Sequence, residues 1–108
     1  FAYQYGSATG VFNESKTTGA TYLRASASVG NFGRENGHSY SYLYNLGDNT
    51  KYSFQTLHNI HINQTPDTFF AFGSGVLPQA SKVDGIRLQA HTGDIDEVTV
   101  SLYGIRYS

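Results

Sequence analysis

The side chains best able to do acid–base or metal chemistry in this 108-residue chain are four histidines and eight carboxylates. His58 and His61 stand three apart. On a helix that spacing would put both rings on one side. The stretch Asn59-Ile60-His61-Ile62-Asn63 alternates as a strand, which sends them to opposite faces. No shared metal is expected there, and His38 and His91 have no ligand-type neighbour in sequence. Asp94, Asp96 and Glu97 gather beside Gly93. Calcium needs about six to eight oxygens, and the spacing does not match a helix–loop–helix calcium loop. Aspartate favours turns for its own backbone hydrogen bonding, so this cluster reads as a turn. The other carboxylates are dispersed, and a glycosidase pair across a cleft would have to be assembled by the fold. No flanking signature marks a Ser–His–Asp arrangement, and no glycine-rich phosphate loop precedes a helix. Cysteine is absent, which removes disulfides and thiolate–zinc sites. Neither a catalytic residue nor a metal or cofactor is expected.

Aromatic residues carry more information: nine tyrosines and seven phenylalanines, with no tryptophan. Tyr52, Phe54, Phe69, Phe70 and Phe72 are expected to fill a core. Tyr40, Tyr42 and Tyr44 share one face of a strand, opposite Ser39 and Ser41. Two readings of that row stay open. It lines the core or a subunit interface, or it forms an exposed platform for a ligand such as a sugar, because tyrosine joins a large contact area to a polar tip. The long polar stretch Gly30–Gly37 is the best candidate for a functional loop, with Arg34 and Asn36 as its binding side chains.

These residues must be positioned by strands. No segment keeps a helical apolar period, and twelve glycines punctuate the chain. Alternation marks strands over Thr21–Val29, His38–Leu46, Lys51–Asn63, Thr68–Val76, Val83–Ala90 and Glu97–Tyr107, with one or two more in the first twelve residues. Leu57 falls out of phase with Tyr52 and Phe54, which predicts a bulge or break near Thr56–His58. Turns are expected at Ser7–Gly10, Lys16–Gly19, Gly30–Gly37, Gly47–Thr50, Asn63–Asp67, Gly73–Gln79 and Thr92–Asp96. Gly47-Asp48-Asn49 reads as a tight hairpin whose residues tolerate positive φ. The formal glycosylation triplets Asn13-Glu14-Ser15 and Asn63-Gln64-Thr65 also read as turns. The expected architecture is a single all-β domain over residues 1–108. It is an antiparallel, jelly-roll-like β-sandwich of about seven or eight strands.

Composition narrows the function class. Charged residues make up 14% of the chain, against roughly 25% in an average soluble domain. Such a surface is easily buried against another subunit, since few ions must lose their water. The net charge is −1 and the basic residues are scattered singly, so nucleic-acid binding is not expected. No apolar run approaches the length of a membrane span. No signal peptide is visible and the first residue is Phe1. Processing or a longer parent chain is the expectation for the missing start. The lack of cysteine fits folding in a bacterial cytoplasm.

The last forty or so residues carry a resemblance. Val83-Asp84-Gly85-Ile86-Arg87-Leu88, then Gly93-Asp94-Ile95, then Val100-Ser101-Leu102-Tyr103-Gly104-Ile105-Arg106 resemble the carboxy-terminal strands of tailed-bacteriophage structural proteins. In those, an I-R-L strand leads through a glycine turn to a final strand ending L-Y-G-I. Phe69–Gly75 is similar to the strand that precedes them. The resemblance implies a module of a tail fibre, baseplate tip, head fibre or capsid decoration protein. Such modules are jelly-roll-like, often homotrimeric, and adhesive or stabilising, not enzymes. It implies a place on the virion surface, contacts with other virion proteins, and receptor binding to host glycan or capsid decoration. Gly104, between Leu102 and Ile105, suggests a bulge near the end of the final strand. A rival from another class is a carbohydrate-binding module or accessory domain of a larger secreted polysaccharide-degrading enzyme.

Overall fold

The computed structural model describes residues 1–10, 12–26, 29–30, 33–63 and 67–106. Among them the chain forms five strands and no helix: β1 (Ala2–Ser7), β2 (Phe12–Lys16), β3 (Gly37–Tyr44), β4 (Tyr52–Ile62) and β5 (Thr68–Ala80). All pair antiparallel in one open sheet of order β2-β1-β5-β4-β3. The all-β expectation is met by this sheet.

The tyrosine-rich run and the Tyr52–Ile62 run form a hairpin, Gly37 opposite His61 and Tyr44 opposite Phe54. Its loop differs from the expected tight turn. Asn45, not Gly47-Asp48-Asn49, takes the positive φ, at 63°. Asn45 Nδ2 donates to the Tyr52 carbonyl at 3.1 Å, and Asp48 accepts from the Thr50 amide and hydroxyl. The turns at Ser7–Gly10 and Lys16–Gly19 are present, with φ of 96° at Gly10 and 73° at Gly19.

Other local expectations are corrected. Gly73–Gln79 is not a turn but the continuation of β5. Its glycines serve close approach: a Cβ on Gly73 would stand 2.6 Å from Tyr3 Cβ, and one on Gly75 would stand 2.5 Å from Leu23 Cδ2. Asn13-Glu14-Ser15 lies within β2 and is not a turn. No break occurs near Thr56–His58. The register shift lies at Tyr52/Ser53, opposite Leu77 and Ala80, where Pro78 sits in the bulge and owes no ladder hydrogen bond. The described parts of 21–29, and residues 83–90 and 97–106, form no strand. Alternation marks residues fit for a strand, but a strand also needs a neighbour to form a ladder with, and among the described residues these segments join no ladder. Ala27 and Ser28, the loop residues Asn31 and Phe32, Gln64 and Thr65 of the second glycosylation triplet and the Asn63–Asp67 turn, and Tyr107 lie outside the described residues.

The sheet is sided in an unexpected sense. Along β4, Ser53, Gln55, Leu57, Asn59 and His61 are buried while Tyr52, Phe54, Thr56, His58 and Ile60 are exposed. Among the described residues, Leu57 and Ala71 are the buried hydrophobic ones, and Ser7, Ser53, Gln55, Asn59 and His61 are buried polar ones. The covering comes from the segment between β2 and β3. Leu23 lies over Gly75 and Val29 over Gly37, and Arg24 bonds the Tyr3 hydroxyl at 2.9 Å with its guanidinium 4.5 Å from the ring centre. The Gly30 amide donates to the Ile62 carbonyl at 3.2 Å, and the Ile62 amide to the Asn36 carbonyl at 2.9 Å. Thus Tyr52, Phe54, Phe70 and Phe72, expected in the core, face outward instead; Phe69 alone of that set turns to the covered side. The alternation was real, but the larger side chains occupy the uncovered phase.

After β5 the chain leaves the sheet. The Val83 amide donates to the Leu46 carbonyl at 2.8 Å, and His91 meets Tyr22 at 5.8 Å between ring centres. The radius of gyration is 15.1 Å, above the ~13 Å of a compact domain this long. Accessible surface is 8554 Å², whereas a folded monomer of this mass exposes about 5900 Å².

Candidate binding face

The open face is built by register. β4 brings Phe54, Thr56, His58 and Ile60 to it, and β3 sets Tyr44, Tyr42, Tyr40 and His38 opposite them in that order. β5 adds Val76, Ser74, Phe72 and Phe70 on the other flank, and β1 contributes Gln4 and Gly6. Phe12 of β2 pairs with Gly6, which has no side chain to stand between Phe12 and β5.

The rings form a belt across the whole sheet. Tyr42 meets Tyr40 edge-on at 6.1 Å, Tyr40 meets His58 at 5.3 Å, His58 meets Phe72 at 5.9 Å, and Phe72 meets Phe12 at 6.5 Å. Edge-to-face arrangements put the positive rim of one ring against the negative face of the next. The Tyr40 hydroxyl and His58 Nδ1 share a hydrogen bond, and the Tyr44 hydroxyl lies 3.4 Å from Thr56 Oγ1. From β3 to β5 the face carries no carboxylate and no lysine or arginine. Glu14 and Lys16 appear only at its β2 margin, where shallow hollows are lined by Gln4, Glu14 and Phe72. A flat, uncharged aromatic surface of this kind can stack on a planar or sugar-like ligand or bury itself against protein.

The covered side is the chemically stranger one. His61 stacks on Phe69 at 5.6 Å with ring planes 11° apart and shares a 3.3 Å hydrogen bond with Asn59 Oδ1. Burial, helped by the positive charge of Arg24, holds its imidazole below the usual histidine pKa. Ser26 Oγ, Gln55 Oε1 and Asn59 Nδ2 are buried there without a hydrogen-bond partner. Asp48, in the β3–β4 loop, is held below the ordinary carboxylate range by the Thr50 hydroxyl and amide, with Lys51 3.4 Å away.

Of the residues singled out from sequence, Tyr40, Tyr42 and Tyr44 stand together on the open face, all exposed. Arg34 and Asn36 are exposed in the loop before β3 and are not brought into the tyrosine row. That loop instead ties its backbone to the end of β4 through Asn36 and Ile62. His58 and His61 take opposite faces of β4. Among the described residues, no three histidine or carboxylate side chains gather as a metal site. Phe12, His58 and Phe72 also belong to the belt; from sequence Phe12 has no role, His58 is considered only as a metal ligand and Phe72 is expected in the core. For His58 the signal is its shared phase with Phe54 and Ile60 on β4. No protein family, curated protein or solved structure matches the chain.

Proposed function

We propose that this chain is a non-enzymatic, homo-oligomeric module of a tailed-phage virion surface, folded in the bacterial host cytoplasm. It serves in host-glycan attachment or capsid decoration. The observation that carries this reading is the aromatic belt of Tyr42, Tyr40, His58, Phe72 and Phe12 across a sheet face left exposed among the described residues. Exposed apolar faces of this breadth mark contact surfaces. The surface in excess of a compact monomer, about 2600 Å², is more than a standard protein interface buries in total. The occupant of the open face is a second copy of the chain. The charge-poor composition and the L-Y-G-I ending support the same reading, with a trimer as the assembly. In that assembly the five strands seen here become one layer of the jelly-roll-like sandwich of about seven or eight strands, and the second layer comes from association.

Light scattering over a wide concentration range tests this reading. A persistent oligomer is expected, and a strict monomer at millimolar concentration overturns it. A sugar-binding module of a secreted polysaccharide-degrading enzyme is the second reading, favoured by the exposure of the tyrosine row on β3 and by the polar hollow at Gln4 and Glu14 at the opposite margin of the same face. Glycan-array binding by a monomeric chain would select it.

A further inference from the structure

The two edges of the sheet are not alike. β2 is short, five residues, and carries Glu14 and Lys16, the usual protection of an edge against adding strands. β3 is eight residues long without a charged side chain other than its single histidine, and among the described residues it pairs only with β4. It is an open template.

The same chain holds a segment with a strand's pattern and no strand to join. Val98–Ile105 is eight residues without a charge, and Val98, Val100, Leu102, Tyr103 and Ile105 are each between 58% and 83% exposed. Aligned antiparallel, as every pair in this sheet is, the segment matches β3 on both faces. Tyr44, Tyr42 and Tyr40 fall opposite Val98, Val100 and Leu102, and Ser41 falls opposite Ser101. Tyrosine against the β-branched Val98 and Val100, and hydroxyl against hydroxyl, are favourable cross-strand pairings. The segment's own chain leads it elsewhere, because His91 packs on Tyr22 beside Phe1 at the start of β1. Two strands, β5 and β4, lie between β1 and β3.

We propose that Val98–Ile105 of one copy adds as an antiparallel strand to the free edge of β3 in a second copy. This rests on the homo-oligomer reading above and names the contact that builds it. The added strand extends the tyrosine row with Val98, Val100 and Leu102, and its backbone satisfies the unpaired amides and carbonyls of β3.

Because the chain has no cysteine, S41C/S101C carries only the introduced thiols. Oxidised with glutathione disulfide, it is expected to give chains cross-linked to one another on a non-reducing gel. The companion V100P/S101P removes both amides of the central pair, so one of them must be the donor facing β3. It is expected to lose the oligomer peak in light scattering while keeping the strand signal in circular dichroism, since the segment supports nothing in its own sheet. An oligomer that survives V100P/S101P overturns strand addition and leaves the oligomer standing. A monomeric parent chain overturns both, whether S41C/S101C closes within one chain or not at all.

Discussion

Tyr40 and His58 stand directly opposite each other on β3 and β4, joined hydroxyl to Nδ1, with ring planes 82° apart. This pair links the tyrosine row to the phenylalanines of β5 and β2, so the belt is a connected surface. Both residues lie on the exposed side. An exposed hydrogen bond contributes little net stability, because water replaces it when it breaks; the edge-on ring contact contributes about 0.5–1.5 kcal/mol. Y40F should therefore shift the urea unfolding free energy by less than about 1 kcal/mol. Y40A, losing both, should cost more than Y40F.

Tyr42 offers a cleaner separation of folding from contact. It is half exposed and lies opposite Thr56, so a charge placed there stays in water in the isolated chain. Y42E should leave the circular-dichroism spectrum unchanged and abolish self-association, because burying an unpaired carboxylate costs several kcal/mol. Sedimentation of Y42E beside the parent chain checks it. An unchanged oligomer would remove the open face from the interface.

Gly73 faces Tyr3 across the β1–β5 pair, and even a methyl group would stand 2.6 Å from Tyr3 Cβ. The neighbouring backbone must shift to admit it. G73A should destabilise by about 1–3 kcal/mol, the usual cost of overpacking. G85A, in open space with ordinary φ, should not. Thermal unfolding of the two variants gives the comparison.

The strands β3, β4 and β5 were legible in the residues, and which of their faces is covered was not. Tyr40, Tyr42 and Tyr44 alternate with serines, and β3 lies within one or two residues of where that pattern puts it. Lys51–Asn63 likewise became β4. Period-two alternation says which residues share a face, but which face is covered depends on what the rest of the chain lays over it. Here Leu23, Arg24 and Val29 lie on the side of Leu57, Asn59 and His61, so Tyr52, Phe54, Phe70 and Phe72 face outward. The break expected at Leu57 came from assuming that every large apolar residue must share one side. Val83–Ala90 and residues 97–106 form no strand for a related reason: a strand is a pairing, and among the described residues neither segment pairs with the sheet. Polarity and length mark the loop around Arg34 and Asn36 as a candidate, but they do not reveal that its backbone is tied to Ile62.

Asn45 is the one non-glycine among the described residues with positive φ, and its side chain holds the Tyr52 carbonyl. Asparagine tolerates this conformation better than residues with a branched Cβ. N45V should lose both the tolerated backbone and the 3.1 Å hydrogen bond, at a cost of about 1–3 kcal/mol. N45G should restore the backbone and leave only the smaller loss of the hydrogen bond. Urea midpoints in the order parent, N45G, N45V are expected.

His61 makes stability depend on pH with a definite sign. Burial first, and the charge of Arg24 second, lower its pKa below that of the unfolded chain. Above the unfolded value, near 6.5, the ring is neutral in both states and its contribution is complete. As pH falls through that value the unfolded chain takes up a proton that the folded chain resists, so stability drops until the folded pKa is passed. The parent chain should lose unfolding free energy as pH is lowered from 7 toward 5. H61Q has no proton to gain there and should show a shallower loss over the same window, measured by urea unfolding at each pH. Parallel curves for the two proteins would mean that the Phe69 stack and the Asn59 bond hold the charged ring as well as the neutral one.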